Sequence, residues 1–600
     1  MENTTNLEKM RHSGAHLMAH AVTTLYPNVK LAIGPAIDSG FYYDFDFGEI
    51  QISEHDLKKI EKKMNELQKK DYKFEKIEMD IKEAEVFLTQ SNQPYSLSLL
   101  EDIKEKGSTK KEEFNTKKKK VSTVTFYKSG DFINLCKGGH VNSYKDIGAY
   151  KLISIAGAYF RGNEKNKMLT RIYAACFETQ NKLDIFLKEK ENAKGRDHRI
   201  IGERLNLFMI SEEVGQGFPL LLPKGETLKH LLMQYMRKKE EKLGFKYVST
   251  PHLANEKLYQ QSGHVKFYSN DMYKIKDKEG SIFYIKPMNC PHHHMIYKKM
   301  IQSYKQLPLK LSESAGLYRY ERSGTLTGLI RVRGPITQND SHIYISKEQL
   351  SEEFRNLLDL FKNVYKDLNI KDYWFRISLP DFKKDKYEGD KNLWEYTADN
   401  IESILKEQKL SFTKEIGDAA FYGPKLDIQI KNIQGNEDTI ATIQVDILVP
   451  QRMGLFFINS KGNKEIPIVI HKSILGSYER FMAFFIEQTN GNFPIKFSPI
   501  QVKIIPVSEQ FNKSSIEIET ILKDNEIRVE IDTTDESVGK KIRNATIEQI
   551  PAKIVIGQKE VDFMKKNKTW DFNINWRPDI ENKDHLNINE FIALMNSEKI

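Results

Sequence analysis

Cysteine is almost missing from this chain. Three in 600 residues, Cys136, Cys176 and Cys290, form no CxxC pair. An odd, sparse set argues against a disulfide framework and leaves thiols that are free, reactive or metal-bound. Long apolar runs are missing too, since no stretch approaches the roughly 18 apolar residues of a membrane span. The opening MENTTNLEKMRHSG has no apolar signal core, so the expectation is a cytoplasmic protein without a membrane partner. Internal repeats and long low-complexity tracts are also lacking. A strong charge imbalance is absent, with 92 Lys and Arg against 83 Asp and Glu, a net +9. That excess suits a polyanionic partner and suits a merely Lys-rich composition equally well. Lys117 to Lys120 and the KKEE before them read as a solvated loop.

What is present points to several folded units. A chain of this length exceeds one core, and roughly 100 to 200 residues per domain gives about three to five domains. Residues 1–177 mix amphipathic helices such as SEHDLKKIEKKMNELQKK with strands such as KLISIAGAYF, which predicts an α+β unit. Residues 178–214 carry helical periodicity and dense charge and read as a helical linker. From 215 to 498, short segments such as GFPLLLPKG, FYIKPMNC, GLIRVRG and ATIQVDILVP read as consecutive strands with few intervening helices, hence an antiparallel sheet. Residues 499–600 alternate strand and helix, which predicts a small α/β domain with a largely parallel sheet.

SAGLYRYERSGTLTGLIRVRG (314–334) reads as a hairpin whose second strand bears Arg331 and Arg333. Its arginines can grip phosphate oxygens bidentately, and Glu321 can accept from an adenine amino group. An exposed Arg–Glu pair is also a common salt bridge. ILGSYERFMAFFIEQ (474–488) has helical apolar spacing with Gly476 and Ser477 at its start, and its Arg480 needs an anionic partner. HSGAH sets His12 and His16 four apart, on one face of a helix, and CKGGH adds Cys136 and His140. By residue type these four suit a Cys-His₃ zinc site or a metal-free polar cluster.

Taken together, the two arginine segments resemble motifs 2 and 3 of class II aminoacyl-tRNA synthetases. RHSGAHLMAHAV, GAYFRGNEKNKMLTRIYA, FYIKPMNCPHHHMIY, DAAFYGPKLDI and VIHKSILGSYERF, in that order, narrow the resemblance to the threonyl-tRNA synthetases over nearly the whole chain. The resemblance implies an N-terminal editing domain, a class II antiparallel catalytic domain with helices and a C-terminal anticodon-binding domain. It implies a homodimer that joins L-threonine to tRNA(Thr) using ATP with Mg²⁺ and hydrolyses mischarged seryl-tRNA. Arg319 would contact the α-phosphate and the threonine carboxylate, Glu321 the adenine, Arg331 the phosphates and Arg480 the triphosphate tail. Cys290, His342 and His471 would bind one Zn²⁺ per subunit, with Gln338, Asp340, Tyr422 and Gln444 around the threonine. For Tyr422 a packed aromatic is the alternative reading. His264 matches a histidine that assists transfer, the alternative being a surface-loop histidine. His292 to His294 read as helix residues rather than ligands. In this family the positions of His12, His16, Cys136 and His140 line an editing pocket that works without metal, whereas alanyl-type editing domains use the same pattern with zinc.

A zinc site that reads a hydroxyl predicts its own weakness. It rejects an isostere lacking the group by about 10⁴ to 10⁵, whereas loss of one methyl is worth only about 1–3 kcal/mol. Valine is excluded and serine is not, so a hydrolytic site is needed. The chain departs from the family's pattern in four places. Pro335 and Ile336 follow RVRG where an aromatic is usual, and Gly139 stands where proline is usual. The small extra N-terminal domain is not seen. GQKE (557–560) fits the anticodon-binding pattern, but the expected Arg-x-Arg is replaced near NIN. A non-catalytic RNA-binding paralogue would have lost Arg319, Arg480 or a zinc ligand, and all are present. A seryl or prolyl enzyme would lack the zinc triad and the editing domain.

Overall fold

The structure, a computed structural model, describes residues 5–106, 122–162, 166–383, 386–433 and 435–597. The Lys117–Lys120 run lies outside the described residues. The chain divides into two compact units, residues 1–191 and 192–600, and helix Gln180–Gly195 spans the division.

The first unit starts with helix Asn6–Leu25, capped reciprocally by Thr5 and Glu8. Its buried face packs on an antiparallel sheet ordered Lys30–Leu31, Gly40–Asp46, Met168–Phe177, Ala149–Tyr159. Gly14, between the two histidines, allows the close approach: a Cβ there would meet Phe41 Cε1 at 2.4 Å. A second antiparallel sheet, Glu75–Asp80, Thr123–Ser129 and Phe132–Leu135, ends where CKGGH begins.

The second unit is built on an eight-stranded sheet ordered Lys246–Tyr247, Leu309–Leu317, Ile336–Ile345, Ile468–Ser473, Glu437–Asp446, Lys425–Lys431, Tyr373–Leu379, Phe412–Ile416. Its interior pairs are antiparallel, and the outermost pair at each edge is parallel. Helices are more numerous than the strand-rich reading anticipated. Leu350–Asp367 buries Leu350, Phe354, Leu357, Leu358, Phe361 and Val364, an i, i+3/i+4 stripe that closes the main core with Lys391–Glu407 and Tyr478–Thr489. GFPLLLPKG is another correction. Only Leu220–Leu221 is strand, and Pro223, suited to a first helical position, starts helix Pro223–Glu241. GLIRVRG is not a strand either. Leu309–Leu317 and Ile336–Ile345 do pair as a hairpin, but 318–335 between them is a loop, and Pro335 has no N–H to offer a ladder.

After residue 500, strands Val529–Ile531, Val502–Pro506 and Ala552–Ile556 are parallel, as alternation predicts. Asp571–Trp576 and His585–Asn587 extend that sheet antiparallel, which the sequence reading missed. Among the described residues no helix is long and apolar enough to cross a membrane.

Candidate functional site

A cavity of about 470 Å³ lies over the eight-stranded sheet. Strand alternation builds one wall. Gln338, Asp340 and His342, spaced by two along Ile336–Ile345, all face it, while Asn339 and Ser341 are buried beneath. Register builds the next part, since His342 pairs directly with His471, and His471 with Gln444, across adjacent strands. Residues far apart in sequence thus share one face. Cys290 enters from the start of helix Cys290–Met300, and its sulfur and one nitrogen each of His342 and His471 lie within 4.8 Å of one another. A thiol and two imidazoles so close, with one side left open, fit the three-protein-ligand pattern of a zinc site that binds substrate.

Burial first, then the Asp340 and Asp446 charges, pushes the Cys290 thiol well above its ordinary value. A divalent cation reverses such a shift by favouring the thiolate. Burial holds His342 well below its ordinary value, so its imidazole is neutral and keeps a lone pair. His471 Nε2 donates to Asp446 Oδ2 (3.0 Å), and Asp446 also accepts from the backbone N–H groups of Leu448 (3.0 Å) and Val449 (2.9 Å). Tyr422 donates to Gln444 Oε1 (2.5 Å) and stacks on the His471 ring.

The remaining wall is cationic. Arg319, Arg331 and Arg480 line the cavity with Glu321. Arg319 donates from Nε to Pro287 O (3.2 Å), Arg331 pairs with Glu321 (3.4 Å) and Arg480 with Asp438 (2.9 Å). Gly476 and Ser477 bring the N-terminus of helix Tyr478–Thr489 to the same wall, a polarity that favours anions. Arg333, by contrast, braces the loop, donating to Glu321 O (2.9 Å) and Gln216 O (3.3 Å). Ile336 and Met288 contribute apolar surface.

His264 is neither a surface-loop residue nor part of the cavity wall. It is fully buried, hydrogen-bonded through Nδ1 to Ser262 Oγ (2.8 Å), with Nε2 3.5 Å from Cys290 Sγ. Burial lowers it to about 3. Sequence reasoning overlooked Asp446, although it follows Gln444 by two on one strand and so shares its face. It also overlooked Asn289, which donates to Asp340 Oδ2 (3.0 Å). Glu240 and Lys472, a fully buried ion pair under the site, were missed as well. Glu240 also accepts from Ser312 (2.7 Å), Asn339 (2.8 Å) and Tyr247 (2.7 Å), which ties helix Pro223–Glu241 to the strands.

In the first unit His12, His16, Cys136 and His140 converge, with one ligand atom from each within 4.8 Å of the others. His12 Nε2 is 3.0 Å and His140 Nε2 3.4 Å from Cys136 Sγ, and Ser13 Oγ holds His140 Nδ1 at 3.2 Å. The His140 ring lies flat on Phe74, 4.4 Å between centroids. Burial lowers His12 to about 4 and His140 to about 2, and raises the Cys136 thiol to about 12. At neutral pH the four groups are uncharged. Gly138 and Gly139 have φ of +106° and +89°, which proline's φ near −65° cannot adopt. The loop carrying His140 therefore follows a path closed to a Pro in place of Gly139.

Residues 124–173 match the family described as "Threonyl and Alanyl tRNA synthetase second additional domain". Residues 273–489 match "tRNA synthetase class II core domain (G, H, P, S and T)", and residues 501–595 match "Anticodon binding domain". The chain is 41% identical over 597 residues to the threonine–tRNA ligase of Acholeplasma laidlawii (strain PG-8A), covering 98% of this chain and 89% of that one. It is 40% identical over 595 residues to the threonine–tRNA ligase of Geobacillus sp. (strain WCH70), covering 99% and 88%. Among solved structures, the RNA binding domain of threonyl-tRNA synthetase from Cryptosporidium parvum Iowa II aligns with a TM-score of 0.63 at 31% identity, over 67% of this chain and 98% of that one. With relatives this similar along almost its entire length, the chain belongs to the threonyl-tRNA synthetase family of class II aminoacyl-tRNA synthetases.

Proposed function

We propose that the protein activates L-threonine with ATP and Mg²⁺, transfers it to the 3′-end of tRNA(Thr) and hydrolyses seryl-tRNA(Thr). The observation that carries this reading is one cavity shared by a thiol–imidazole triad and three arginines. Attack of the threonine carboxylate on the α-phosphorus gathers negative charge, which fixed guanidinium groups in a sheltered site stabilise strongly. Arg319 is assigned to the α-phosphate and carboxylate, Arg331 and Arg480 to the phosphates and Glu321 to the adenine. Cys290, His342 and His471 would hold one zinc ion, which would supply a Lewis acid able to recognise the substrate's amino group and hydroxyl. Asp340 and Gln338 serve the amino group and hydroxyl, with Tyr422 and Gln444 closing that end. His264 lies behind Cys290, so its influence on transfer runs through the residues it packs against.

In the editing unit, neutral His12, His16, His140 and the Cys136 thiol can hold a water against the seryl ester. Their mutual closeness also suits a divalent cation, and zinc analysis separates the two readings. One equivalent per subunit fits the catalytic triad alone, and two fit both clusters. The resemblance further implies a homodimer, which light scattering on the eluting protein tests. The central experiment is ATP–pyrophosphate exchange with threonine, serine and valine, before and after zinc removal. Zinc-dependent exchange with threonine, weaker with serine and almost none with valine is expected. No exchange with any of the three, in folded protein, overturns the assignment.

A further inference from the structure

The tract His292–His294 is left unused by these assignments, yet its middle member touches a zinc-ligand candidate. His293 is fully buried, with Nδ1 2.8 Å from Nδ1 of His342 and Nε2 3.2 Å from Oε2 of Glu313. Two imidazole nitrogens at that separation share one proton, so one donates and the other accepts. Glu313 decides which. It is 3% exposed and is ringed by donors: its Oε1 accepts from Thr250 N–H (2.7 Å) and lies 3.5 Å from Lys286 Nζ, and its Oε2 accepts from the Thr250 hydroxyl (2.8 Å). An ionised carboxylate so placed can only accept, so His293 carries its proton on Nε2. Its Nδ1 lone pair then takes the hydrogen bond from His342 Nδ1–H, which leaves the lone pair of His342 on Nε2.

We propose that Glu313 and His293 are positioning residues that fix the tautomer of His342 and thereby its competence as a metal ligand. The inference rests on the zinc reading given above. His471 has a shorter version of the same device, since its Nε2–H donates directly to Asp446 and Nδ1 is left free. The two imidazoles therefore offer opposite nitrogens. Each is fixed by a buried carboxylate, His471 directly and His342 through an interposed ring. Partners of this kind orient a metal-bound imidazole, and their loss typically costs about 10- to 100-fold in metal affinity.

Glu313→Gln tests the relay, because the amide must place its NH₂ somewhere. At Oε1 it would face the Thr250 N–H and the Lys286 ammonium, both donors. At Oε2 it meets a hydroxyl that can rotate and an imidazole that can change tautomer. The NH₂ then donates to His293 Nε2, His293 donates from Nδ1 to His342, and His342 carries its proton on the nitrogen that would face the metal. Zinc affinity of the full-length protein is measured by competition with a chromophoric chelator, and the equivalent lost in Cys290→Ala identifies the triad's ion. Glu313→Gln is expected to weaken that equivalent about 10- to 100-fold. His293→Gln, which keeps a polar side chain in place, carries the same expectation should Glu313→Gln fold poorly. Wild-type affinity in either folded variant overturns the relay alone. A wild-type protein that binds no zinc lost in Cys290→Ala overturns the zinc reading and the relay with it.

Discussion

Arg480 occupies the first turn of helix Tyr478–Thr489, where its backbone N–H is capped by Ser477 Oγ (3.2 Å) and its guanidinium is held by Asp438. Its other donors remain for an anion in the cavity, so it is already in place when charge develops. Arg480→Ala is expected to lower kcat/KM for threonine-dependent ATP–pyrophosphate exchange about 10²- to 10³-fold, the usual cost of one preorganised donor. The proposed editing cluster makes a prediction about pH. An ordinary histidine would protonate near 6.5, whereas burial lowers His12 to about 4 and His140 to about 2. Groups that act as neutral imidazoles then keep their active form as pH falls through 6.5 and lose it only on approaching about 4. The enzyme-catalysed part of seryl-tRNA hydrolysis should show no inflection near 6.5. An inflection there would mean that the acting group is more exposed than His12.

At the scale of elements, helix Asn6–Leu25 carries both His12 and His16, so the geometry of the proposed editing cluster depends on how that helix seats on its sheet. Gly14 is the contact point with Phe41. Gly14→Ala adds a methyl where the ring already sits, at a cost of about 1–3 kcal/mol for overpacking. The expected result is a lower melting temperature for the first unit and slower seryl-tRNA hydrolysis, with threonine-dependent exchange unchanged. Hydrolysis at the wild-type rate would show that Phe41 yields instead of the helix. The loop 318–335 shows the opposite relation between element and site. Irregular backbone presents Arg319, Glu321 and Arg331, and the strands on either side supply the rigidity.

At the scale of the molecule, two arginines of the last domain tie its five-stranded sheet to the segment 493–498 that follows helix Tyr478–Thr489. Arg577 is 3% exposed and donates to Phe493 O (2.8 Å), Gln549 O (2.9 Å) and Asp579. Arg528 donates to Ser498 O and Lys496 O, both at 2.9 Å. Hydrogen bonds to a charged group are worth about 1.5–3 kcal/mol each. Arg577→Met should therefore lower the denaturation midpoint and raise KM for tRNA, while exchange, which needs no tRNA, stays near wild type. Equal losses in charging and in exchange would mean that the joint supports the catalytic fold itself.

Local chemistry was legible in the sequence wherever a short period governs it. The i, i+4 pair His12 and His16, the Ser477-capped helix and the strand–helix alternation after residue 499 follow from backbone geometry over a few residues. The resemblance to a known family supplied the partners that spacing could not. Only the tertiary structure set Cys290 beside His342 and His471, because strand register, not proximity in sequence, aligns them. It alone turned GLIRVRG into a loop, buried His264 and joined Glu240 to Lys472. Glu313, His293 and His342 became one hydrogen-bonded line for the same reason: which polar groups meet in a core is settled when whole elements pack, and no local preference encodes it.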